Sequence, residues 1–172
     1  MTKNAKLVTV ISALLAVIVA VFACFSREYI LSRKEAQESG VFFLRAGVEE
    51  FTVSVGDIVD LSPADIQANY KTTGRDAETR IYQGVSLKAV IESLGLDYSG
   101  FSSVSFLAAD GYASALTIAE AMDSDNCFIA VAWNNKPLGT KEGGGSGPFM
   151  MILPRDPFSQ RWCKFLLEVT LR

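Results

Sequence analysis

The nineteen residues from Leu7 to Phe25 carry no charge, and only Thr9 and Ser12 interrupt them with polar side chains. At about 1.5 Å per helical residue, such a run nearly spans a bilayer core of roughly 30 Å. It is longer than the ~7–15 residue apolar region of a cleaved signal peptide. The run therefore partitions the chain. Residues 1–25 read as an N-terminal signal anchor and transmembrane helix, 26–40 as a charged stalk able to continue that helix, and 41–172 as one domain. Lys3 and Lys6 precede the run; Arg27, Arg33 and Lys34 follow it, mixed with Glu28, Glu35 and Glu38. A short basic start before one apolar span predicts a single-pass protein of the cell membrane with its domain on the extracytoplasmic side.

Cys24 ends a Val-Phe-Ala-Cys tetrapeptide that has the outline of a lipoprotein cleavage box. Phe22 fits poorly there and no Ser/Gly tether follows, so a small apolar residue at a helix end is the simpler reading. From Gly40 onward there are eleven Lys/Arg against sixteen Asp/Glu, a net charge of −5. An acidic domain without a basic stripe argues against nucleic acid as a partner. Histidine is absent and the three cysteines form no Cys-x-x-Cys pattern, so neither zinc nor haem is expected. Asp123-Ser124-Asp125-Asn126 lacks the downstream Gly and Glu of a calcium loop. The loop carboxylates Asp110, Asp123, Asp125 and Asp156 serve turns and solvation more often than hydrolysis.

Along the domain the apolar period is mostly two. Strands are expected at 41–46, 51–55, 65–72, 78–82, 104–108, 112–116, 127–133, 149–153 and 164–171, joined by Gly-, Asn- and Asp-rich turns. Helical spacing appears after Ser86, at Leu87, Val90, Ile91 and Leu94, with Gly95 as the stop. A shorter helix follows Thr117. The fully apolar Cys127–Trp133 strand belongs at the centre of a sheet. Many short strands with two short helices make an α+β domain, mostly antiparallel or mixed β, behind an N-terminal transmembrane helix. Between Trp133 and Trp162 the chain holds Gly139, Gly143, Gly144, Gly145 and Gly147, the buried run Phe149–Leu153, Pro154, Pro157, and then Ser159-Gln160-Arg161-Trp162. Two loops flanking one buried strand can line a ligand site; a long hairpin loop without ligand is the alternative.

Several motifs, in order, resemble those of one family. Tyr82-Gln83-Gly84-Val85-Ser86-Leu87 is similar to a Y-x-G-V-P-L segment, and Ala108-Ala109-Asp110-Gly111-Tyr112 to a strand–ADGY–strand hairpin. Asn134-Asn135-Lys136-Pro137-Leu138 is similar to M-N-G-x-P-L. Gly144-Gly145 through Pro154 resembles G-G-P-x-R-L-V-V-P, and Ser159–Lys164 resembles S-x-K-W-V-K. Together they resemble the sulfite-oxidase-fold, molybdopterin-binding oxidoreductase domain over roughly residues 41–171. The resemblance implies a molybdopterin lying across loops at the end of the sheet. Ser159 and Arg161 would hold its phosphate, the guanidinium by paired hydrogen bonds, while Gly144 and Gly145 allow close backbone approach. Thr72 and Thr73 would stand near the metal position. Enzymes of the family ligate molybdenum through a cysteine thiolate before the Y-x-G-V segment. Here that region, Asn69–Arg75, holds none, and threonine does not replace a soft thiolate. Cys127 and Cys163 fall in strands and read as buried small hydrophobes.

The expected function is accordingly a non-catalytic, membrane-anchored module that binds a small anionic ligand or a redox partner protein. The alternative is an active or accessory molybdopterin-dependent oxidoreductase in extracytoplasmic electron transfer. A domain with no small ligand, using its glycine loop as a protein contact, is a third reading.

Overall fold

The computed structural model describes residues 3–71, 74, 76–157 and 159–172, with side chains left aside at 3–10 and 24–33. Thr72 and Thr73 lie outside the described residues. The chain divides into two compact units, 1–35 and 36–172. The first is the body of helix α1, Lys3–Glu38, which Gly40 follows at φ +63°. The expected stalk is thus a continuation of the helix. Residues 11–23 are exposed along their length, Leu14 at 62% and Phe22 at 70%. Among the described residues no helix is long and apolar enough to cross a membrane. The stretch 11–23 extends for only about 20 Å at 1.5 Å per residue, and the remainder of the expected span, 7–10 and 24–25, falls where side chains are left aside.

The second unit is built on two five-stranded sheets among the described residues. The first holds β1 (Val41–Ala46), β2 (Glu49–Ser54), β5 (Ser103–Ala108), β6 (Ala113–Thr117) and β10 (Leu166–Leu171), in the order β2-β1-β10-β5-β6. The second runs β3 (Ala64–Tyr70), β4 (Glu78–Ser86), β7 (Phe128–Trp133), β8 (Lys136–Pro137), with β9 (Met150–Ile152) also paired to β7. All pairings are antiparallel except β1 with β10, so the domain is a mixed α+β fold, mostly sheet. Alternation places one face of each strand inside: Phe42, Leu44 and Ala46 of β1, and Val104, Phe106 and Ala108 of β5, are buried. Phe42 meets Phe149 edge-on, ring centroids 4.9 Å apart, tying the β1 sheet to the chain entering β9.

Local signals set the helices. Ser54 caps α2 (Val55–Asp60): its hydroxyl accepts from the Asp57 N–H, and the Asp57 carboxylate accepts from the Ser54 N–H at 2.7 Å. The Ser54 hydroxyl donating to that carboxylate at 2.7 Å, and then the Ser54 N–H, hold the Asp57 carboxyl below the usual carboxylate range. Ser86 caps α3 (Leu87–Ser93), and Thr117 caps α4 (Ile118–Ala121).

Two features depart from the expected elements. The strand expected to stop at Tyr82 continues to Ser86, because β4 stays paired to β7 through a register shift between Gln83 and Gly84. A Cβ at Gly84 would lie 2.4 Å from the Ile129 carbonyl oxygen, so only glycine permits this approach. The expected strand at 164–171 begins at Leu166, since Phe165 turns to φ +53° and a bulge separates Leu166 from Glu168.

Candidate functional site

At the Trp133 end of β7 lies an open cleft of about 510 Å³. Its walls come from β4 (Arg80), the β7–β8 turn and β8 (Trp133, Asn134, Lys136, Pro137), the chain after β8 (Leu138), the glycine loop (Gly144, Gly145, Ser146), and Lys164 before β10. Among the described residues three cations line it and no carboxylate does. Alternation along β4 turns Arg80 to the same side as Tyr82, and the flanking strands bring up Tyr70 and Trp133. The Arg80 guanidinium lies 3.9 Å from the Tyr70 ring centroid and 4.2 Å from that of Trp133. It donates twice to Glu78, at 2.9 and 2.7 Å. Burial works against its charge, but the bonds to Glu78 and Tyr82 outweigh that and hold its pKa above the ordinary guanidinium value. Lys164 donates to the Tyr70 hydroxyl at 2.6 Å. Neither Lys164 nor Lys136 has a carboxylate within ion-pair reach among the described residues, whereas Arg45, Lys88, Arg155 and Arg161 all do. In an acidic domain, uncompensated positive charge collects here.

The glycine loop is a self-closed wall. Gly145 N–H donates to Thr140, Ser146 to Leu138, Gly147 to Gly139 and Gly144 to Lys141, at 2.8 to 3.0 Å. These donors are thus bonded inside the loop. A Cβ at Gly145 would lie 2.2 Å from the Leu138 carbonyl oxygen, so glycine serves backbone packing at this position. Gly144 and Gly145 also line the cleft.

Ser159 and Arg161 form a 3-10 turn with Gln160 and line neither this cleft nor the smaller one of about 220 Å³ beside Tyr112 and Gln160. The Ser159 hydroxyl donates to the Lys71 carbonyl at 2.6 Å and accepts from the Lys71 N–H at 3.2 Å. It clamps the end of β3 to the turn. Arg161 is held by Asp156 at 2.8 and 2.5 Å and by Glu120 at 2.8 Å. The Asp156 bond, then the Glu120 bond, push its pKa well above the ordinary value. The structure gives Arg161 two carboxylates where the sequence suggested a phosphate. Arg80, Lys136 and Lys164 were not legible as a set, because their chain positions are unrelated and their convergence on one cleft is a tertiary fact.

The donor set bears directly on a metal. Cys127 and Cys163 are free and fully buried. Burial pushes the Cys127 thiol far up and the Cys163 thiol up to about 12. Among the described residues no group of three His, Cys, Asp or Glu could hold a metal ion. Cys24, the remaining cysteine, belongs to helix α1. The cleft residues suit the anionic end of a molybdopterin; the domain offers no thiolate to ligate molybdenum.

Two five-stranded sheets, short helices, and a cleft between strand ends and a glycine loop make up the domain. The family model for the oxidoreductase molybdopterin binding domain matches residues 57–172, and the chain belongs to that family. The resemblance carried by the sequence motifs is borne out. Among solved structures, the chain is similar to the sulfane dehydrogenase SoxCD from Paracoccus pantotrophus, with a TM-score of 0.61 and 13% identity over 76% of this chain and 37% of that one. The likeness is one of fold, and this chain spans little more than a third of that chain's length. No curated protein matches the sequence.

Proposed function

We propose that this protein is a membrane-anchored, extracytoplasmic member of its family that binds a small anionic ligand in the cleft and performs no molybdenum chemistry of its own. One observation carries the binding part: among the described residues Arg80, Lys136 and Lys164 line a cleft without a carboxylate, in a domain of net charge −5. Lack of a reachable thiolate supports the non-catalytic part. The uncharged run Leu7–Phe25, behind a short basic start, supports the anchor and the orientation. Family membership favours a second reading, an active or accessory molybdopterin-dependent oxidoreductase.

The full-length chain, produced in a host that makes molybdopterin and purified in mild detergent, separates these readings. Elemental analysis and pterin extraction are expected to give molybdenum far below one per chain, while titration with phenyl phosphate gives saturable binding that weakens with salt. Near-stoichiometric molybdenum with pterin would establish the oxidoreductase reading instead. Loss of the chain from membranes on alkaline carbonate washing would remove the anchor.

A further inference from the structure

We propose that the outer edge of β3 pairs with the same edge of a second copy of this chain, antiparallel across a two-fold axis at Gln67. β3 is the end strand of its sheet. Its register with β4 runs unbroken from Ala64↔Gly84 to Tyr70↔Glu78, so no bulge turns the free edge aside. The direction of its backbone groups follows from the neighbouring strands. The Ile81 carbonyl accepts from the Asn134 N–H, so Ile81 points away from β3. Gln67 pairs with Ile81 and therefore turns its own N–H and C=O outward, as in a non-hydrogen-bonded antiparallel pair. Alternation gives Asp65, Asn69 and Lys71 the same direction. Lys71 bears this out, because the Ser159 hydroxyl takes both its N–H and its C=O, at 3.2 and 2.6 Å. At the other end Pro63 has no N–H to offer. The open edge is thus Asp65, Gln67 and Asn69, closed off on both sides. Among the described residues no other segment bonds to their backbone, and all three side chains are exposed.

Self-complementarity names the occupant. Antiparallel pairing about Gln67 sets Gln67 opposite Gln67 of the second copy and Asp65 opposite its Asn69. Every such facing pair is of the hydrogen-bonded kind, exchanging both N–H···O bonds. The one charge on the edge meets an amide and never its own kind. The side chains keep the capacity this needs. Asp65 gives Oδ1 to Gln83, which leaves its other oxygen, and Asn69 accepts from Thr79 through Oδ1, which leaves its NH2 to donate. The facing Gln67 amides donate to each other. Outer strands are ordinarily guarded by charge or shortness: β2 begins with Glu49-Glu50, β6 has five residues and β8 two. β3 offers seven residues and one charge. A seam of that length falls below the ~1,200–2,000 Å² of a standard stable interface, so the dimer forms in a concentration-dependent way.

Cross-linking and sedimentation of the full chain in mild detergent test the pairing, with Cys24→Ser in every cross-linking variant; Cys127 and Cys163 are buried. Facing Cα atoms in a hydrogen-bonded pair stand about 5.5 Å apart, within disulfide reach, whereas residue 65 and its own copy would be about 14 Å apart. On mild oxidation Gln67→Cys should give a covalent dimer. Asp65→Cys and Asn69→Cys should each give none alone and a dimer when mixed, and Glu49→Cys on β2 should give none. In sedimentation the unaltered chain should associate as its concentration rises. Gln67→Lys, which sets like charges face to face, should weaken that association about tenfold with no change in thermal midpoint. A monomer at every concentration would overturn the proposal. So would association that ignores Gln67→Lys, which would lie elsewhere on the chain, or a cross-link from Asp65→Cys alone, which requires another register.

Discussion

Arg161 and Lys164 stand three residues apart and carry the same charge, yet their surroundings are opposite. Arg161 is clamped by Asp156 and Glu120; Lys164 meets only the Tyr70 hydroxyl and the face of its ring. One cation is a rivet between the 3-10 turn, the loop before it and α4. The other lines a cleft. The contrast shows that a basic residue in a family motif locates a segment, and that the neighbouring carboxylates decide whether its charge is available. The next motif position but two, with no carboxylate beside it, holds the usable charge.

The largest effect should come from Cys163, which lies between the two cations and is fully buried. Burial raises its folded pKa from 9.0 to about 12. A group raised in this way contributes stability that is complete below about pH 9 and is lost as pH climbs through 12, roughly 4 kcal/mol in all. Urea midpoints measured from pH 8 to 12 should fall more steeply for the wild type than for Cys163→Ala; parallel curves would sink this expectation. Next, Arg161→Met should destabilise the fold by roughly 1–2 kcal/mol, mainly by leaving the 13%-exposed Asp156 side chain unpaired. Phenyl phosphate affinity should stay unchanged. A large loss of affinity with an intact fold would reverse the roles assigned to the two cations. Lys164→Ala should do the opposite, weakening phenyl phosphate binding about tenfold with a small shift in urea midpoint. The smallest effect is a gain. Glu78→Gln leaves Arg80 an acceptor but removes the charge that offsets it, and should tighten phenyl phosphate binding by about twofold, in keeping with an exposed ion pair; weaker binding would mean that the Glu78 charge positions Arg80 for the ligand.

The fold was largely legible because its determinants are local. Alternation marked the strands, and Ser86 and Thr117 marked helix starts that the structure confirms by their bonds to Ala89 and Glu120. The parallel partnership of β1 with β10 was not legible, since nothing in either strand's own pattern names a partner at the far end of the chain. Gly84 could have been read as a close-approach position, but only the register with Ile129 shows what it admits. For the site, the glycine loop was legible as a segment, but that its N–H groups close the loop on itself is visible only in the fold. Arg80 belongs to no motif of the sequence, and its aromatic neighbours come from two other strands.

The parallel pairing of β1 with β10 has a consequence for the time course of synthesis. β10 is the middle strand of its sheet, flanked by β1 and β5, and Phe43 lies opposite Glu168. Until β10 leaves the ribosome, that sheet consists of two separate hairpins, β1–β2 and β5–β6, each with an open edge. Contacts between positions so distant in the chain carry a loop-closure cost and form slowly. The nascent sheet therefore keeps a vacancy at its centre until Leu166–Leu171 have been made. A chain cut before Leu166 should show this as a protease-sensitive product with unpaired edges prone to aggregation, even though every residue of the cleft up to Lys164 has been made.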